Sequence, residues 1–402
     1  MRPFQGKAPA RFSPLLSRIL ERIEPAQVDP TLTGNAVAVR ELSRLFTKER
    51  DALGIDYLKD PALAAAYLTY FFPVNLCKIQ VLLDELPENW QISPDGRPLR
   101  VLDLGTGPGT GALAVLDWLK HQACDSLHGL TVVGVDASAE ALHQARLLWT
   151  AYSCQADVRS ANLVLHEGDL AGPAKNGWRD DIARRAPYDL VIVANCVNEL
   201  FGRTTQPIKA RANLIADLLA MLATEGTLMI VEPALRQTSR ALHQLRDQLL
   251  LEKRCTVYSP CLHEGHCPAL IKEHDWCHEE RAWVPPLSIQ QIDHEVGFIK
   301  DALKFSYLLL RTDGKTVVER RPDTFRMVSE LRTLKGDTRA WLCNEQGRSE
   351  VGRLDRATSD ANSAWDHCQR GAIVQIEGMK RKEGATLSRI PAEGTVEIIR
   401  PI

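Results

Sequence analysis

The sequence has no excess of charge of one sign and no long apolar run. Its 402 residues include 49 Lys and Arg against 51 Asp and Glu. This balance excludes capture of nucleic acid by the whole surface, so any RNA contact must come from a local patch. No apolar run approaches the ~20 residues that cross a bilayer, so we predict no membrane span. With 45% hydrophobic residues, the composition also excludes a disordered chain.

A secretory signal is also missing. The start carries the basic residues Arg2, Lys7, Arg11 and Arg18, and serine and arginine interrupt its apolar stretch. This interruption excludes a secretory signal, whereas a basic amphipathic start is compatible with a mitochondrial presequence. We therefore expect the protein in the cytoplasm, with the mitochondrial matrix as the alternative.

The apolar pattern changes twice along the chain. Residues 12–90 have apolar positions three and four apart, which predicts helices. Short apolar strands then alternate with helices, which predicts a parallel sheet covered on both faces. Short β-like segments between Gly, Asp and Asn follow. We divide the chain into an N-terminal helical region (1–95), an α/β domain (96–312) and a small β-barrel-like domain (313–402).

A glycine-rich turn follows the first predicted strand. Asp103, Gly105, Gly107 and Gly109 have the spacing D-x-G-x-G-x-G. Glycines let the backbone approach a ligand closely, and the helix that follows offers free N–H groups. The dinucleotide pattern G-x-G-x-x-G fails because Thr110 stands at its last position.

Acidic residues follow the next two predicted strands. Asp136 is placed to accept both ribose hydroxyls of a nucleoside, and Asp169 to reach an adenine amino group. In this order the elements of residues 99–312 resemble class I S-adenosylmethionine-dependent methyltransferases, with a nicotinamide dehydrogenase as the alternative. The resemblance implies a class I methyltransferase-like α/β fold. It also implies that Asp103 contacts the methionine part of the cofactor and Asp136 its ribose.

The segment after the fourth strand, where a methyl acceptor would sit, reads N-C-V-N-E-L over residues 195–200. It lacks the Asn-Pro-Pro-aromatic loop of many amino-group methyltransferases. Asn195, Asn198 and Glu199 are candidates to orient a substrate, with Glu199 as a base. A purely structural loop network is the equal alternative, and we predict that Cys196 is a buried core thiol.

Four of the ten cysteines fall within 23 residues, with four histidines between and beside them. In a chain without a secretory signal, such a cluster indicates metal binding before disulfides. The C-x2-4-C pairs typical of structural zinc are missing, and the wider spacing fits a 4Fe–4S cluster better, with zinc as the alternative. The candidate ligands are Cys255, Cys261, Cys267 and Cys277.

The cysteine segment carries a second and more specific resemblance. S-P-C-x-H-x-x-x-C-P (259–268) and D-W-C-H (275–278) resemble the methyltransferase-like assembly factors of the small ribosomal subunit in mitochondria and bacteria. AYLTYFFPVN (66–75) and FSYLLLR (305–311) are similar to that family too, so the resemblance covers about residues 60–345.

This resemblance implies a 4Fe–4S cluster on the four clustered cysteines and binding to the precursor of the small subunit and its rRNA. An active rRNA methyltransferase is the alternative function. We expect a monomer without a membrane partner. Arg320-Arg321 and the basic run 380–382 are candidate phosphate contacts, and solvated turns explain them equally well.

Overall fold

The computed structural model describes residues 8–23, 32–49, 54, 57–92, 95–122, 129–156, 160–172, 177–383 and 386–402. Cys124 and the leader residues Arg2 and Lys7 lie outside the described residues. The helices are α1 (Pro14–Ile23), α2 (Leu32–Thr47), α3 (Pro61–Ala66), α4 (Phe72–Leu83), α5 (Thr110–His121), α6 (Ala139–Gln155), α7 (Trp178–Arg185), α8 (Pro207–Leu219), α9 (Arg236–Leu251) and α10 (Leu287–Val296).

The strands fall into two groups, which form two sheets. In the larger sheet they are β1 (Ala10–Arg11), β2 (Leu99–Leu104), β3 (Leu130–Asp136), β4 (Ala161–Glu167), β5 (Tyr188–Ala194), β6 (Leu222–Pro233), β7 (Thr256–Ser259), β8 (Glu279–Val284) and β9 (Ala302–Arg311). In the smaller sheet they are β10 (Thr324–Met327), β11 (Arg332–Leu334), β12 (Asp337–Asn344), β13 (Gly347–Leu354), β14 (Ile373–Glu377), β15 (Lys380–Arg381), β16 (Leu387–Arg389) and β17 (Thr395–Arg400).

The larger sheet has the order β1-β8-β9-β6-β5-β2-β3-β4, with β7 also paired to β9. Strands β2 to β6 run parallel, and β9 is antiparallel to β6. Successive residues of β2 point to opposite faces: Val101 packs with α4 and α5, and Leu102 packs with α8 and α9. This arrangement confirms the predicted class I methyltransferase-like α/β sheet with helices on both faces.

The predicted N-terminal helices are confirmed, although α2 ends at Thr47, earlier than its apolar pattern suggests. A π-helical turn joins α3 and α4 into one helix, Pro61–Leu83. Asp60 begins it, because its Oδ1 accepts from the backbone N of Ala62 at 2.8 Å. This helix is long and apolar enough to cross a membrane, which corrects the expectation that no stretch approaches that length. In the most apolar part of this helix, 67% of the residues are buried inside the fold, so we assign it as a core helix.

The cysteine segment interrupts the strand position beside β9 in the larger sheet. β7 pairs with the end of β9, with Thr256 opposite Arg311, and β8 pairs with its beginning, with Glu279 opposite Phe305. The two short strands therefore occupy one strand position, and residues 260–278 leave the sheet between them. We call residues 260–278 the cysteine loop.

The smaller sheet has the order β15-β16-β13-β12-β10-β14-β17, with β11 on β12. It surrounds a core of its own that includes Trp365, a fully buried side chain. This confirms the small C-terminal β region, whereas its closure into a barrel and the proposed domain boundaries stay predictions.

A buried ionic cluster joins the two sheets to the end of the long helix. Glu85 is 2% exposed, and its carboxylate accepts from Arg281 Nη2 at 2.5 Å and from the hydroxyls of Ser259 at 2.7 Å and Tyr307 at 2.8 Å. Arg326 of β10 lies 3.7 Å from the same carboxylate. Contacts of this kind fix the orientation of the smaller sheet against the larger one.

Candidate functional site

The glycine turn adopts the conformation that its sequence predicts. Gly105, Gly107 and Gly109 have φ values of 67°, 54° and 84°, a region that other residues rarely adopt. A Cβ on Gly105 would lie 2.8 Å from the sulfur of Cys196, so this position excludes any side chain. The turn ends at the N-terminus of α5, where Gly109 is the residue before the helix.

Asp103 lies beneath this turn and is 1% exposed. Its Oδ2 accepts from Thr106 Oγ1 at 2.6 Å and from the backbone N of Ala112 at 3.0 Å. Burial raises the pKa of Asp103 to about 6, although both hydrogen bonds act in the opposite direction. Gly111 was not predicted as a site residue, yet a Cβ there would lie 2.6 Å from Asp103 Oδ1. The carboxyl thus sits in a space that only glycine at 111 leaves open.

Asp136 ends β3, as expected, and its side chain returns to the glycine turn. Its Oδ2 accepts from the backbone N of Gly107 at 2.8 Å, and its Oδ1 accepts from the backbone N of Ser138 at 2.9 Å. Asp169 follows β4, is exposed, and accepts from the backbone N of Ala171 at 2.9 Å. The structure therefore joins Asp103 and Asp136 through one turn, and Gly168, the residue before Asp169, donates from its backbone N to the carbonyl of Asp136 at 2.9 Å.

The segment after β5 is held by residues that the sequence did not identify. Asn195 has a φ of 58°, and Asn198 donates from its side chain to Glu232, which is 1% exposed at the end of β6. Arg211 of α8 donates to the carbonyl of Asn198 at 2.8 Å. These contacts fit the alternative in which Asn195 and Asn198 belong to a structural loop network. Glu199, beside them, is exposed. No local pattern identifies Glu232 or Arg211, because both act from distant elements.

Cys196 has the environment of a core thiol. Its side chain is partly buried against the hydrophobic cluster of α8 and α9, and its sulfur donates to the carbonyl of Leu104 at 3.5 Å. Burial raises the pKa of this thiol well above its usual value, and the nearby carboxylate of Glu232 adds to the shift. A thiol that stays protonated is a poor nucleophile, which agrees with the sequence prediction.

Two tyrosines of the N-terminal region approach the same site and were not predicted. The rings of Tyr57 and Tyr67 lie 6.1 Å apart, and both contact Phe46 edge-on. Burial raises the pKa of both hydroxyls, and the charge of Asp136 contributes to each shift. The N-terminal helices therefore cover the side of the glycine turn where Asp136 lies.

A second site is a cavity of about 50 Å³ between the cysteine loop and the smaller sheet. Three cysteines of the loop, Cys261, Cys267 and Cys277, line it together with Cys343 of β12. Burial raises the pKa of Cys277 to about 11, and the neighbouring Cys261 adds to the shift. Burial also raises the pKa of Cys343, with contributions from the three loop cysteines. The four sulfur atoms are therefore close enough for the charge on one thiolate to shift the pKa of another.

Cys255, which the sequence grouped with the loop cysteines, does not line this cavity among the described residues. It precedes β7 and packs against the hydrophobic cluster of α8 and α9. Burial raises its pKa to about 12, and the charged groups that act on it are Glu264 and Arg246. Within the described part of the chain, no three Cys, His, Asp or Glu side chains stand as a ready metal-ligating group.

Helix α9 holds the cysteine loop through main-chain contacts. Arg240 Nη1 donates to the carbonyls of Ala269 at 3.0 Å and Asp275 at 2.7 Å. Arg246 is fully buried and donates to the carbonyl of His263 at 2.5 Å. The neighbouring Asp247 accepts from the backbone N of Cys267 at 3.0 Å.

His243, on the same face of α9, makes one further contact with the loop. Its Nε2 lies 3.0 Å from the carbonyl oxygen of Cys277, to which it donates when the ring is protonated at Nε2, and 3.3 Å from the backbone N of the same residue. Burial lowers the pKa of His243 to about 4, although the hydrogen bond to the carbonyl of Cys277 acts in the opposite direction, and the ring is therefore neutral. The helix thus binds the loop near Cys267 and again at Cys277.

Solved structures of methyltransferases are similar to this chain at low identity. The CcbJ methyltransferase from Streptomyces caelestis is 19% identical over 40% of this chain, which spans about half (52%) of that protein, with a TM-score of 0.26. An O-methyltransferase family protein from Burkholderia thailandensis is 15% identical, with 74% and 77% coverage and a TM-score of 0.34. The plantazolicin methyltransferase BamL is 12% identical, with 71% and 99% coverage and a TM-score of 0.34. No curated protein sequence matches.

A protein family does match most of the chain. Its description is "Mitochondrial small ribosomal subunit Rsm22", and the match covers residues 61–357. The matched residues include the long N-terminal helix, strands β2 to β9 of the larger sheet, the cysteine loop and Cys343. The chain belongs to this Rsm22 family of the mitochondrial small ribosomal subunit.

Proposed function

We propose that this protein is an assembly factor of the small ribosomal subunit, in which a methyltransferase fold carries a 4Fe–4S cluster. One observation carries the proposal: Cys343 shares a cavity with three loop cysteines, in a chain of a small-subunit family. The proposed partner is the precursor of the small subunit and its rRNA. Because the family is described as mitochondrial, we place the protein in the mitochondrial matrix rather than in the cytoplasm.

The residues around the cavity fit an anionic metal group. Four cysteine thiolates are the usual donors of a cubane iron–sulfur cluster, and they also suit zinc. The guanidinium groups of Arg326 and Arg348 line the cavity and offset the negative charge of such a site. We propose Cys261, Cys267, Cys277 and Cys343 as the ligands, in place of Cys255. A metal group held by these thiolates would stabilise the contact between the loop and β12, because ligand binding energy becomes folding energy.

The glycine turn fits S-adenosylmethionine. Asp136 uses one lone pair of each oxygen on backbone N–H groups, which leaves others free to accept ribose hydroxyls. Asp103 lies beneath the same turn, where a carboxylate favours the amino group of the methionine part. Asp169 is the proposed partner of the adenine amino group. When bound, the cofactor supplies a methyl group on a sulfonium centre.

Calorimetric titration with S-adenosylmethionine tests the cofactor site. Asp136→Ala should weaken binding by about 1–3 kcal/mol, because ribose hydroxyls lose a buried acceptor. Asp217→Ala, an exposed change on α8, is the matched control and should bind as the wild type does. A folded wild-type protein that binds no cofactor would overturn this part of the proposal.

Sedimentation of a tagged protein tests the ribosomal role. The protein should travel with small-subunit precursors rather than with translating ribosomes at low salt. Cys261→Ser should reduce this association, whereas Cys196→Ser, which changes a cysteine outside the cavity, should not. A protein found only in the free fraction would contradict the assembly role.

An active rRNA methyltransferase is the second candidate function. The observation in its favour is the side-chain oxygen of Asn198, a buried atom with no hydrogen-bond partner among the described residues. An acceptor substrate would satisfy this atom beside the exposed Glu199. Transfer of a labelled methyl group to small-subunit rRNA by the wild type, and its loss in Glu199→Gln, would favour this function over a scaffold role.

A further inference from the structure

Several buried N–H groups around the cysteine cavity have no acceptor. Trp276, Arg326 and Arg348 all line the cavity. Trp276 Nε1, Arg326 Nε and Arg348 Nε are buried and have no hydrogen-bond partner within the described part of the chain. Buried donors are nearly always paired, so three unpaired donors at one cavity call for an acceptor that binds there.

The other contacts of these side chains fix their positions. Arg326 is 2% exposed and donates through Nη2 to Tyr307 at 2.9 Å, while Arg348 Nη1 donates to Asp275 at 2.5 Å. The ring of Trp276 is stacked on His278 with centroids 6.0 Å apart. Each side chain is therefore anchored at one end and has one N–H group left over.

The charge at the cavity indicates an anionic acceptor. The cavity is lined by the two guanidinium groups and by one carboxylate, that of Glu279. This carboxylate is already neutralised, because it pairs with Arg281 and lies 3.4 Å from Arg326. Thiolates, and above all the sulfides of an iron–sulfur cluster, are anionic acceptors that an arrangement of this kind would stabilise.

We propose that Trp276, Arg326 and Arg348 form a shell of N–H donors to the sulfur atoms of the bound group, and that this shell sets its reduction potential. The inference rests on the proposed cluster and extends it to residues that do not ligate metal. Hydrogen bonds to sulfur stabilise the reduced, more negative state of an iron–sulfur cluster and raise its potential. They also slow the loss of metal, because the ligands are held in place.

Trp276→Phe tests the shell, because it keeps an aromatic ring beside His278 and removes the N–H group. The protein is loaded without oxygen from ferrous iron and sulfide, and its reduction potential is measured by redox titration. We expect a more negative potential and about a tenfold faster loss of iron to a chelator. Arg348→Lys, which keeps the charge beside Asp275 and removes Nε–H, should shift the potential in the same direction.

Trp90→Phe is the matched control. Trp90 Nε1 is also buried without a partner among the described residues, but Trp90 packs on Trp118 and does not line the cysteine cavity. Its substitution should leave the potential unchanged.

An unchanged potential in both Trp276→Phe and Arg348→Lys, with iron content equal to the wild type, would overturn the donor shell and leave the cluster intact. A wild-type protein that takes up no iron would overturn the cluster itself and the shell with it.

Discussion

Arg348 of β13 donates to the carboxylate of Asp275, 73 residues earlier in the chain, at a distance of 2.5 Å. This ion pair joins the smaller sheet to the cysteine loop next to the cavity. Cys343, which lies opposite Arg348 in the hairpin of β12 and β13, lines the same cavity as Cys277 of the loop. The cavity therefore lies at the contact between the two sheets, and a metal bound there would link them.

Serine variants of single cysteines distinguish the two possible ligand sets. Cys343→Ser should lose bound iron as completely as Cys261→Ser, because each removes one of four thiolates. Cys255→Ser should keep its iron, since Cys255 does not line the cavity. Iron and sulfide are measured on protein purified without oxygen. Retention of iron by Cys343→Ser together with its loss from Cys255→Ser would restore the ligand set expected from sequence spacing.

The sequence predicted the parts of the sites that are local in the chain. Asp103, the glycines and Asp136 lie at the ends of adjacent parallel strands, so the strand pattern alone brings them together. Cys343 could not be found in this way, because it is 66 residues beyond Cys277 in the chain and on a different sheet. No other cysteine lies near Cys343 in the sequence. Proximity in sequence favoured Cys255 as the fourth metal ligand, whereas the packing of the smaller sheet against the cysteine loop favours Cys343.

The sequence also missed features that depend on how elements pack. β7 has only four residues, and three of the six residues of β8 are charged, so neither shows an apolar strand pattern. Their shared position on β9 appears only when β9 is in place. Tyr67 was part of an apolar helical pattern and Tyr57 lay just before it, and neither position gives a reason to place these residues beside Asp136. Contacts of these types are set by tertiary structure, so no local signal would have identified them.

Removal of Arg240 should loosen the cysteine loop without unfolding the protein. Arg240→Ala deletes the donor that binds the carbonyls of Ala269, Lys272 and Asp275, so these carbonyls must turn to water. We expect faster proteolysis within residues 260–278 of the metal-free protein and an unchanged rate elsewhere. Arg254→Ala is the control, because Arg254 is half-exposed and pairs with Glu252. Equal cleavage in both variants would show that α9 does not hold the loop.

The pKa of Asp103 gives stability a pH dependence. Burial raises it from 3.8 to about 6, so the folded state favours the neutral carboxyl. Its contribution to stability is fully present below about pH 4 and is lost as the pH rises through about 6. The variant Asp103→Asn has no ionisable group at this position. Between about pH 4 and 6, the free energy of unfolding of the variant should therefore rise relative to that of the wild type by about 2–3 kcal/mol, at ~1.4 kcal/mol per pKa unit. Denaturant unfolding at several pH values measures the difference, and parallel curves for the two proteins would exclude the ionisation of Asp103 as its source.

Glu85 is the acceptor on which the contact between the two sheets depends. Burial alone would raise its pKa, but Arg326 and Arg281 hold the pKa of this carboxyl well below its usual value. A group of this kind stabilises the fold above about pH 4.5, and the contribution is lost as the pH falls.

Glu85→Gln should therefore destabilise the protein by about 3–5 kcal/mol at neutral pH, because it leaves two buried guanidinium groups with less negative charge beside them. The same loss should release the smaller sheet first, so its protection against hydrogen exchange should fall more than that of β2 and β5. Glu88→Gln, an exposed change three residues away, should alter neither quantity. If the protection of both sheets fell together, Glu85 would be a residue of general stability and not the link between them.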